Sequence, residues 1–331
     1  FLPWDQLLNY IEAVVRTYNS YGRRDNKWKA RIKILVKSEG QKFIDAVEQE
    51  YKAIVEQDGA PHTITQAELD RVTANFVVPP LRPAGVPSEV SITAKPFQRW
   101  LTQNVGKHRL PELCVVTLSF KRPGWAPGDA DADTLDALAE LADQFSAGEA
   151  RLTHEQNLLL PWVHAGDLPA MSERANALGL VPHNIGLLPD LIACPGGDFC
   201  ALANAKSIPI ATAIQARFDD LDYLHDIGNM EINISGCMNA CGHHHVGHIG
   251  ILGVDKKGQE FYQVSLGGSA GREASLAQIL GPSFAQDEMA DVIDKLIKVY
   301  VEHRTEEESF LDTFRRVGIH PFKERVYAAN H

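Results

Sequence analysis

Apolar positions in the first part of the chain recur at the spacing of an α-helix. The residues that share this spacing are Trp28, Ile32, Leu35, Val36, Phe43, Val47 and Tyr51. Side chains three or four positions apart lie on one helix face, so the pattern predicts helical structure over residues 1–56. Gly40 stands between the two groups and is predicted to end a helix there.

The middle of the chain alternates between strand-like and helix-like patterns. Residues 114–120 and 151–160 are short, largely apolar runs that predict strands. Residues 134–145 have helical spacing instead, and the predicted apolar face consists of Leu135, Leu138, Leu141 and Ala142. A strand–helix–strand order predicts an α+β layer.

The last part of the chain again mixes both patterns. The predicted strands are 231–235, 249–254 and 261–266, and a turn at 256–258 joins the last two. Residues 288–299 have the pattern of an amphipathic helix. We also predict that a helix begins at Cys200, where its N-terminal dipole would favour an anionic group.

A proline-rich connector divides the chain. Pro79, Pro80, Pro83 and Pro87 lie close together, as in an extended linker. We therefore predict a first module over residues 1–78 and a linker over 79–100. Two further modules are predicted over 101–185 and 186–331.

Composition narrows the class of protein. The chain has 331 residues and a net charge of −11, which argues against a general nucleic-acid binder. No window reaches the apolar length of a membrane span, and the first residues do not have the pattern of a signal peptide. Five cysteines is an odd and low number, which favours metal or catalytic use in a reducing compartment over disulfides. We therefore expect a cytoplasmic protein without nucleic-acid or membrane partners.

Four of the cysteines form two pairs. Five residues separate Cys194 from Cys200, and three separate Cys237 from Cys241. Structural zinc usually takes pairs with two to four intervening residues, whereas a larger iron–sulfur cluster accepts wider spacing. Neighbouring glycines let the backbone turn its N–H groups toward sulfur, which favours the cluster. Zinc and buried structural thiols remain the alternatives.

The other candidate groups have simpler interpretations. Cys114 stands alone in an apolar strand and is predicted to be a core residue. The run His243–His244–His245 follows Cys241 after a single residue, Gly242. Adjacent residues of a strand face opposite sides, so these histidines are not expected to bind one ion together. Hydrogen bonding to a cofactor, proton supply and a purely structural role all remain open for them.

These motifs resemble a known family. The two cysteine pairs, the second within Gly236–Gly242, are similar to the signature of sirohaem sulfite and nitrite reductases. Residues 151–158 resemble the Arg-x-Thr-x-x-Gln-Asn element of that family, and the surroundings of Arg31 resemble the end of its first α/β module. The run Cys241–His245 looks most like the bacterial assimilatory sulfite reductase haemoprotein.

The resemblance implies an α+β architecture. The family has two similar halves, each with a ferredoxin-like piece and a larger α/β piece. Residues 1–78 would be the helical end of the first α/β module, 101–185 a ferredoxin-like half domain, and 186–331 the sirohaem and 4Fe-4S domain. A preceding half of the same protein would be a partner and would supply Arg and Lys side chains for the substrate anion.

The resemblance also implies site residues. Cys194, Cys200, Cys237 and Cys241 would bind a 4Fe-4S cluster, and Cys241 would also be the axial ligand of the sirohaem iron. Arg151 would contact the sirohaem or the substrate pocket and is, with Cys241, the predicted catalytic residue. The predicted cofactor hydrogen bonds come from Asn157 and Asn239. Lys121 and Arg122 are expected at a solvated strand end.

The implied activity is the six-electron reduction of sulfite to sulfide in sulfur assimilation. Nitrite reduction to ammonia at the same centre is the first alternative, and a non-catalytic cluster or zinc module is the second. Electrons would come from a ferredoxin or a flavoprotein.

Overall fold

The computed structural model describes residues 1–26, 29–180 and 183–328. The chain divides into two compact units, Phe1–Pro79 and Pro80–His331. Within the described ranges, no helix is long and apolar enough to cross a membrane.

The first unit is helical. Its helices are α1 (Leu7–Tyr21), α2 (Ile32–Glu39), α3 (Gln41–Glu56) and α4 (Gln66–Thr73). Their buried apolar side chains are Ala13, Leu35, Phe43, Val47 and Ile54. Gly40 has a φ of 56° between α2 and α3, which confirms the predicted helix end there. The predicted helical position Trp28 lies outside the described residues.

The second unit begins with a four-stranded antiparallel sheet in the order β1-β2-β4-β3. Its strands are β1 (Val105–Lys107), β2 (Leu113–Leu118), β3 (Arg151–Leu152) and β4 (Leu158–His164). The helices beside it are α5 (Lys95–Asn104), α6 (Ala132–Phe145) and α7 (Leu168–Ala177). The Asp131 carboxylate caps α6 by accepting from Thr134 N, and the predicted helix is confirmed. Leu135, predicted on its apolar face, is exposed.

The single strand predicted over 151–160 is wrong. Residues 153–157 form a turn between β3 and β4, in which Thr153 N donates to Asn157 O at 2.9 Å. Gln156 has a φ of 61°, a left-handed conformation that a continuous strand excludes. The apolar run therefore folds as a tight hairpin.

A second, five-stranded sheet follows in the order β5-β6-β7-β8-β9. Its strands are β5 (Ile192–Ala193), β6 (Ile232–Ser235), β7 (Ile249–Lys256), β8 (Gln259–Leu266) and β9 (Gln278–Ile279). The first three are parallel and the others antiparallel. The helices of this region are α8 (Ile208–Arg217), α9 (Leu221–Ile227), α10 (Met289–His303), α11 (Phe310–Val317) and α12 (His320–Tyr327). The predicted α+β class is confirmed.

Two local features of this sheet follow from the sequence. Lys257 and Gly258 have φ values of 59° and 82°, the positive pair that a two-residue hairpin turn requires. The predicted strand at 231–235 is present as β6, but all four of its residues are buried. Its alternating pattern predicts one exposed face, whereas a central strand in a parallel arrangement is covered on both faces.

A histidine pair links α9 to the segment after α7. His183 Nδ1 and His225 Nε2 are 2.7 Å apart. Burial and then the neighbouring charges of His183 and Arg99 lower the pKa of His225 from 6.5 to about 4, although Asp222 opposes the shift. Burial also lowers the pKa of His183. The uncharged form of both rings is therefore favoured in the folded protein.

We expect this pair to make stability depend on pH. An unfolded His225 binds a proton below its pKa of 6.5, whereas the folded one does so only near about 4. The free energy of unfolding should thus fall as the pH falls through this window. Urea unfolding across the window should show a weaker dependence in His225→Gln. The matched control His320→Gln, at an exposed position, should keep the parental slope; equal slopes in all three proteins would contradict the prediction.

Candidate metal centre

Two of the four paired cysteines lie just after the ends of neighbouring strands in the second sheet. Cys194 directly follows β5, and Cys237 follows β6 by two residues. The strands are parallel, with Ala193 opposite Ile234. The carboxyl ends of parallel strands are where α/β sheets bind ligands, because the loops there converge on one edge.

The two cysteine-bearing loops are in direct contact. We call residues 194–207 the first cysteine loop and residues 236–243 the second. Gly236 N donates to Cys194 Sγ at 3.0 Å. Asn204 N and Ala205 N both donate to Gly236 O, at 2.8 and 3.0 Å. The second loop is therefore held against the first by three backbone donors, one of them on sulfur.

Glycines make this approach possible. A Cβ atom on Gly236 would lie 2.9 Å from Gly196 Cα and 2.6 Å from Ala205 O. Gly196 itself has a φ of 61°, and a Cβ there would lie 2.4 Å from Ser207 N. Side chains at these two positions would force the loops apart.

The helix predicted to begin at Cys200 is wrong. Cys200 follows a single 3-10 turn at Gly196–Asp198, and its N–H donates to Gly196 O at 2.9 Å. The next helix, α8, begins at Ile208, with Pro209 in its first turn. Proline favours that position because its nitrogen has no hydrogen to leave unpaired. In the described part of the chain, Cys200 is thus not the first residue of a helix.

The second cysteine loop is a strained turn. Ala240 N donates to Cys237 O at 3.1 Å, and Ala240 has a φ of 59°. A left-handed conformation in a residue with a Cβ is typical of functional sites. Cys237 is buried, whereas Cys241 is exposed at the end of the turn. Asn239 is half-buried in the same turn, and its predicted role toward a cofactor stays a prediction.

The donor set fits an iron–sulfur cluster. Cys194, Cys200, Cys237 and Cys241 are all free thiols, and the backbone N–H of Gly236 donates to the sulfur of Cys194. In the described part of the chain, no three His, Cys, Asp or Glu side chains are arranged to hold a single metal ion. The assignment of these four residues as ligands stays a prediction that rests on the contact between the loops.

The histidines after Cys241 lie in turns, so the strand assumed for them is wrong. His243 has a φ of 55°, and its carbonyl accepts from Asn233 Nδ2 at 3.2 Å. His244 is buried, with its ring centroid 3.9 Å from that of His245. His248 Nδ1 accepts from Glu231 N at 3.2 Å, and burial lowers its pKa. The rings of His244 and His245 therefore lie side by side, which the alternation of a strand would not allow.

Arg151 is exposed on the short strand β3. Its guanidinium Nε donates to Glu149 Oε1 at 2.6 Å. Glu149 also accepts from Trp162 Nε1, and these two bonds lower the pKa of Glu149, the one from Trp162 more strongly. Arg151 thus has a carboxylate partner of its own, and its contact with a cofactor stays a prediction.

Lys121 is not at a solvated strand end, so that expectation is wrong. Its side chain is fully buried, and its Nζ lies 3.1 Å from Asp190 Oδ1 and 2.5 Å from Glu155 O. Burial lowers the pKa of Lys121, an effect that Asp190 opposes.

Asn157 contacts the same ion pair, because its Nδ2 donates to Asp190 Oδ1 at 2.9 Å. Asn157 is therefore engaged by protein groups in this structure, and its predicted hydrogen bond to a cofactor stays a prediction. Arg122 packs over the Trp125 ring at 4.0 Å.

Gln156 is a supporting residue that was not predicted from the sequence. Its side-chain amide donates to Ala193 O at 2.7 Å and accepts from Ala193 N at 2.9 Å. This pair of bonds fixes the residue immediately before Cys194. The Arg-x-Thr-x-x-Gln-Asn element contained the signal, because an uncharged amide at a left-handed turn position has both a donor and an acceptor to offer.

A cavity of about 620 Å³ is lined by residues of the element at 151–158 and of the second cysteine loop. Its lining includes Asn157 and His243. It also includes Glu155, Asp190 and Glu231, of which Asp190 is paired with the buried Lys121.

Comparison with known proteins gives a consistent result. The model of the family described as "Nitrite and sulphite reductase 4Fe-4S domain" matches residues 1–55 and 189–330. The model described as "Nitrite/Sulfite reductase ferredoxin-like half domain" matches residues 119–178. The family matches thus include all four paired cysteines and the element at 151–158.

Individual relatives are distant and longer. "Sulfite reductase [ferredoxin] 1" of Mycolicibacterium paratuberculosis is 26% identical over 94% of this chain and 51% of its own length. "Assimilatory ferredoxin-dependent nitrite reductase" of Haloferax mediterranei is 27% identical over 91% of this chain and 48% of its own length. The Mycobacterium tuberculosis NirA protein superposes with a TM-score of 0.64 at 25% identity, covering 97% of this chain and 54% of that one. The chain spans about half the length of the curated relatives it matches.

Proposed function

The chain belongs to the nitrite and sulphite reductase family, and from that premise we propose that it forms the cofactor-binding part of a sulfite reductase. The proposed reaction is the six-electron reduction of sulfite to sulfide. The observation that carries the proposal is the contact between the two cysteine loops, with Gly236 N–H on Cys194 Sγ. Such an arrangement is typical of a site that binds an anionic thiolate centre.

The family matches confirm the predicted resemblance. The cofactors of this family are a 4Fe-4S cluster and sirohaem. When bound, they supply single electrons and an open iron position for a small anion. We propose that Cys194, Cys200, Cys237 and Cys241 hold the cluster and that Cys241 is shared with the sirohaem iron. Its exposure fits a thiol that must reach a second group.

The protein groups around the loops would fix these ligands. Gln156 holds Ala193 in register, and the three donors at Gly236 and its carbonyl hold the loops together. Rigid support of this kind keeps the thiolates at one separation when the charge of the centre changes. Arg151 and Asn239 remain proposed contacts of the cofactors.

Sulfite is the substrate that we favour. Relatives named sulfite reductase [ferredoxin] align over 94% of this chain. Relatives named nitrite reductase align over 90 to 93%, so nitrite is the second candidate. The names of both groups favour ferredoxin as the electron donor. We further propose that a preceding, similar half of the protein completes the anion pocket, and that the enzyme acts in the cytoplasm.

The first test is the optical spectrum of the anaerobically purified chain, with iron, zinc and acid-labile sulfide measured on the same sample. We expect haem bands together with about four additional irons and about four sulfides per chain. A colourless zinc protein would refute the reductase assignment. A brown protein without haem bands would instead support a non-catalytic cluster carrier. In the complete protein, the values of kcat/KM for sulfite and nitrite would then decide between the two substrates.

A further inference from the structure

Ser207 occupies an unusual position beside Cys194. It precedes the first residue of α8, where serine side chains commonly cap the helix by accepting from a backbone N–H. Here the side chain makes no capping bond. Its Oγ lies instead 3.5 Å from Cys194 Sγ, and the residue is completely buried.

The hydroxyl lies where the two cysteine loops meet. A Cβ on Gly196 would lie 2.8 Å from Ser207 Oγ, and a Cβ on Gly236 would lie 3.2 Å from it. The two glycines thus leave the space that this hydroxyl occupies. Gly236 N–H reaches the same sulfur at 3.0 Å, so one polar group from each loop contacts Cys194 Sγ.

The direction of the bond follows from the chemistry of a metal ligand. A thiol can donate or accept, but an iron-bound thiolate has no proton and can only accept. Ser207 then has to be the donor. A hydrogen bond to a ligating sulfur stabilises the reduced, more negative cluster more than the oxidised one, which raises the reduction potential.

We propose that Ser207 is a positioning residue that donates to the Cys194 thiolate and raises the reduction potential of the cluster. The proposal rests on the proposed assignment of Cys194 as a cluster ligand. Gly236 makes a backbone contribution of the same kind, which remains in place when only Ser207 is replaced. A substitution of Ser207 therefore measures the contribution of its hydroxyl alone.

The test is a redox titration of the cluster in the iron-loaded chain, followed by its electron paramagnetic resonance signal. We expect the midpoint potential of Ser207→Ala to shift to a lower value, because the oxidised state loses less stabilisation than the reduced one. Ser207→Thr keeps a hydroxyl and should stay near the parental potential. Ser265→Ala is the matched control, since that buried hydroxyl bonds Gly250 O at 3.3 Å and no sulfur.

Each outcome decides the proposal. A parental potential in Ser207→Ala would overturn it and leave the cluster assignment intact. If Ser207→Ala fails to load iron while Ser207→Thr loads it and keeps the parental potential, the hydroxyl is required at the Cys194 ligand and the donor role is supported. If both variants fail while Ser265→Ala loads, Ser207 acts by packing alone and the proposal falls. A parent chain without iron and labile sulfide would overturn the ligand assignment as well.

Discussion

Replacing Gly236 by alanine is expected to abolish loading of the iron–sulfur cluster while the fold is retained. The added Cβ would lie 2.6 Å from Ala205 O and 2.9 Å from Gly196 Cα, so the backbone of both cysteine loops would have to move. Overpacking of this kind costs about 1–3 kcal/mol. The same displacement would remove the N–H donor from Cys194 Sγ and separate the two pairs of thiols.

The measurement is the content of iron and acid-labile sulfide after anaerobic reconstitution, with circular dichroism as the check on folding. Gly106→Ala is the matched control, because its Cβ would meet only Val115 atoms at 3.8 Å. We expect parental iron in the control and a loss of about tenfold or more in Gly236→Ala, as follows when misplaced ligands lose second-sphere support. Full loading in Gly236→Ala would show that the loop contact is not needed for the centre.

Local signals in the sequence were sufficient for much of the fold. Gly40 ends a helix because only a residue without a Cβ adopts its backbone conformation readily, and Lys257–Gly258 forms the predicted hairpin turn for a related reason. The helix at α6 was predicted from its spacing because its buried face follows a regular period. In these cases the determining interaction lies within a few residues.

The failures share a different cause. The strand predicted over 151–160 is interrupted by the left-handed Gln156, and the conformation of Gln156 accompanies its two bonds to Ala193, far along the chain. Lys121 was predicted to be exposed to solvent. Its partner, Asp190, is 69 residues away in the sequence, so the buried ion pair could not be foreseen. No periodicity reports such a contact, since neither residue type identifies its partner.

The candidate site also has one part that local sequence signals predict and another part that depends on contacts between distant residues. The four cysteines were predicted as ligands from their spacing and their family resemblance, because cysteine is a residue type that binds metals, and this assignment stays a prediction. The groups that support them are Gln156, Ser207 and the carbonyl of Gly236. These act through tertiary contacts, and an ordinary serine or glutamine in a sequence does not indicate them.

The Lys121–Asp190 pair gives the second large expected effect. Replacing Asp190 by alanine is expected to lower the free energy of unfolding by about 3–5 kcal/mol, because it leaves a buried ammonium without its counter-charge. Asp190 also accepts from Asn157 Nδ2 at 2.9 Å and from Gly186 N at 2.9 Å, so three donors lose their acceptor together. Urea unfolding followed by circular dichroism measures the change.

Two further variants separate charge burial from simple loss of contacts. Asp294→Ala removes the partner of the exposed Lys298 within α10, and such a surface pair contributes only about 0.3–0.5 kcal/mol. The double variant Lys121→Met with Asp190→Asn removes both charges and keeps an acceptor at position 190. It should be more stable than Asp190→Ala alone, because no uncompensated ion remains. If the double variant were no more stable than Asp190→Ala, an unpaired buried ammonium would not be the cause of the loss of stability in Asp190→Ala.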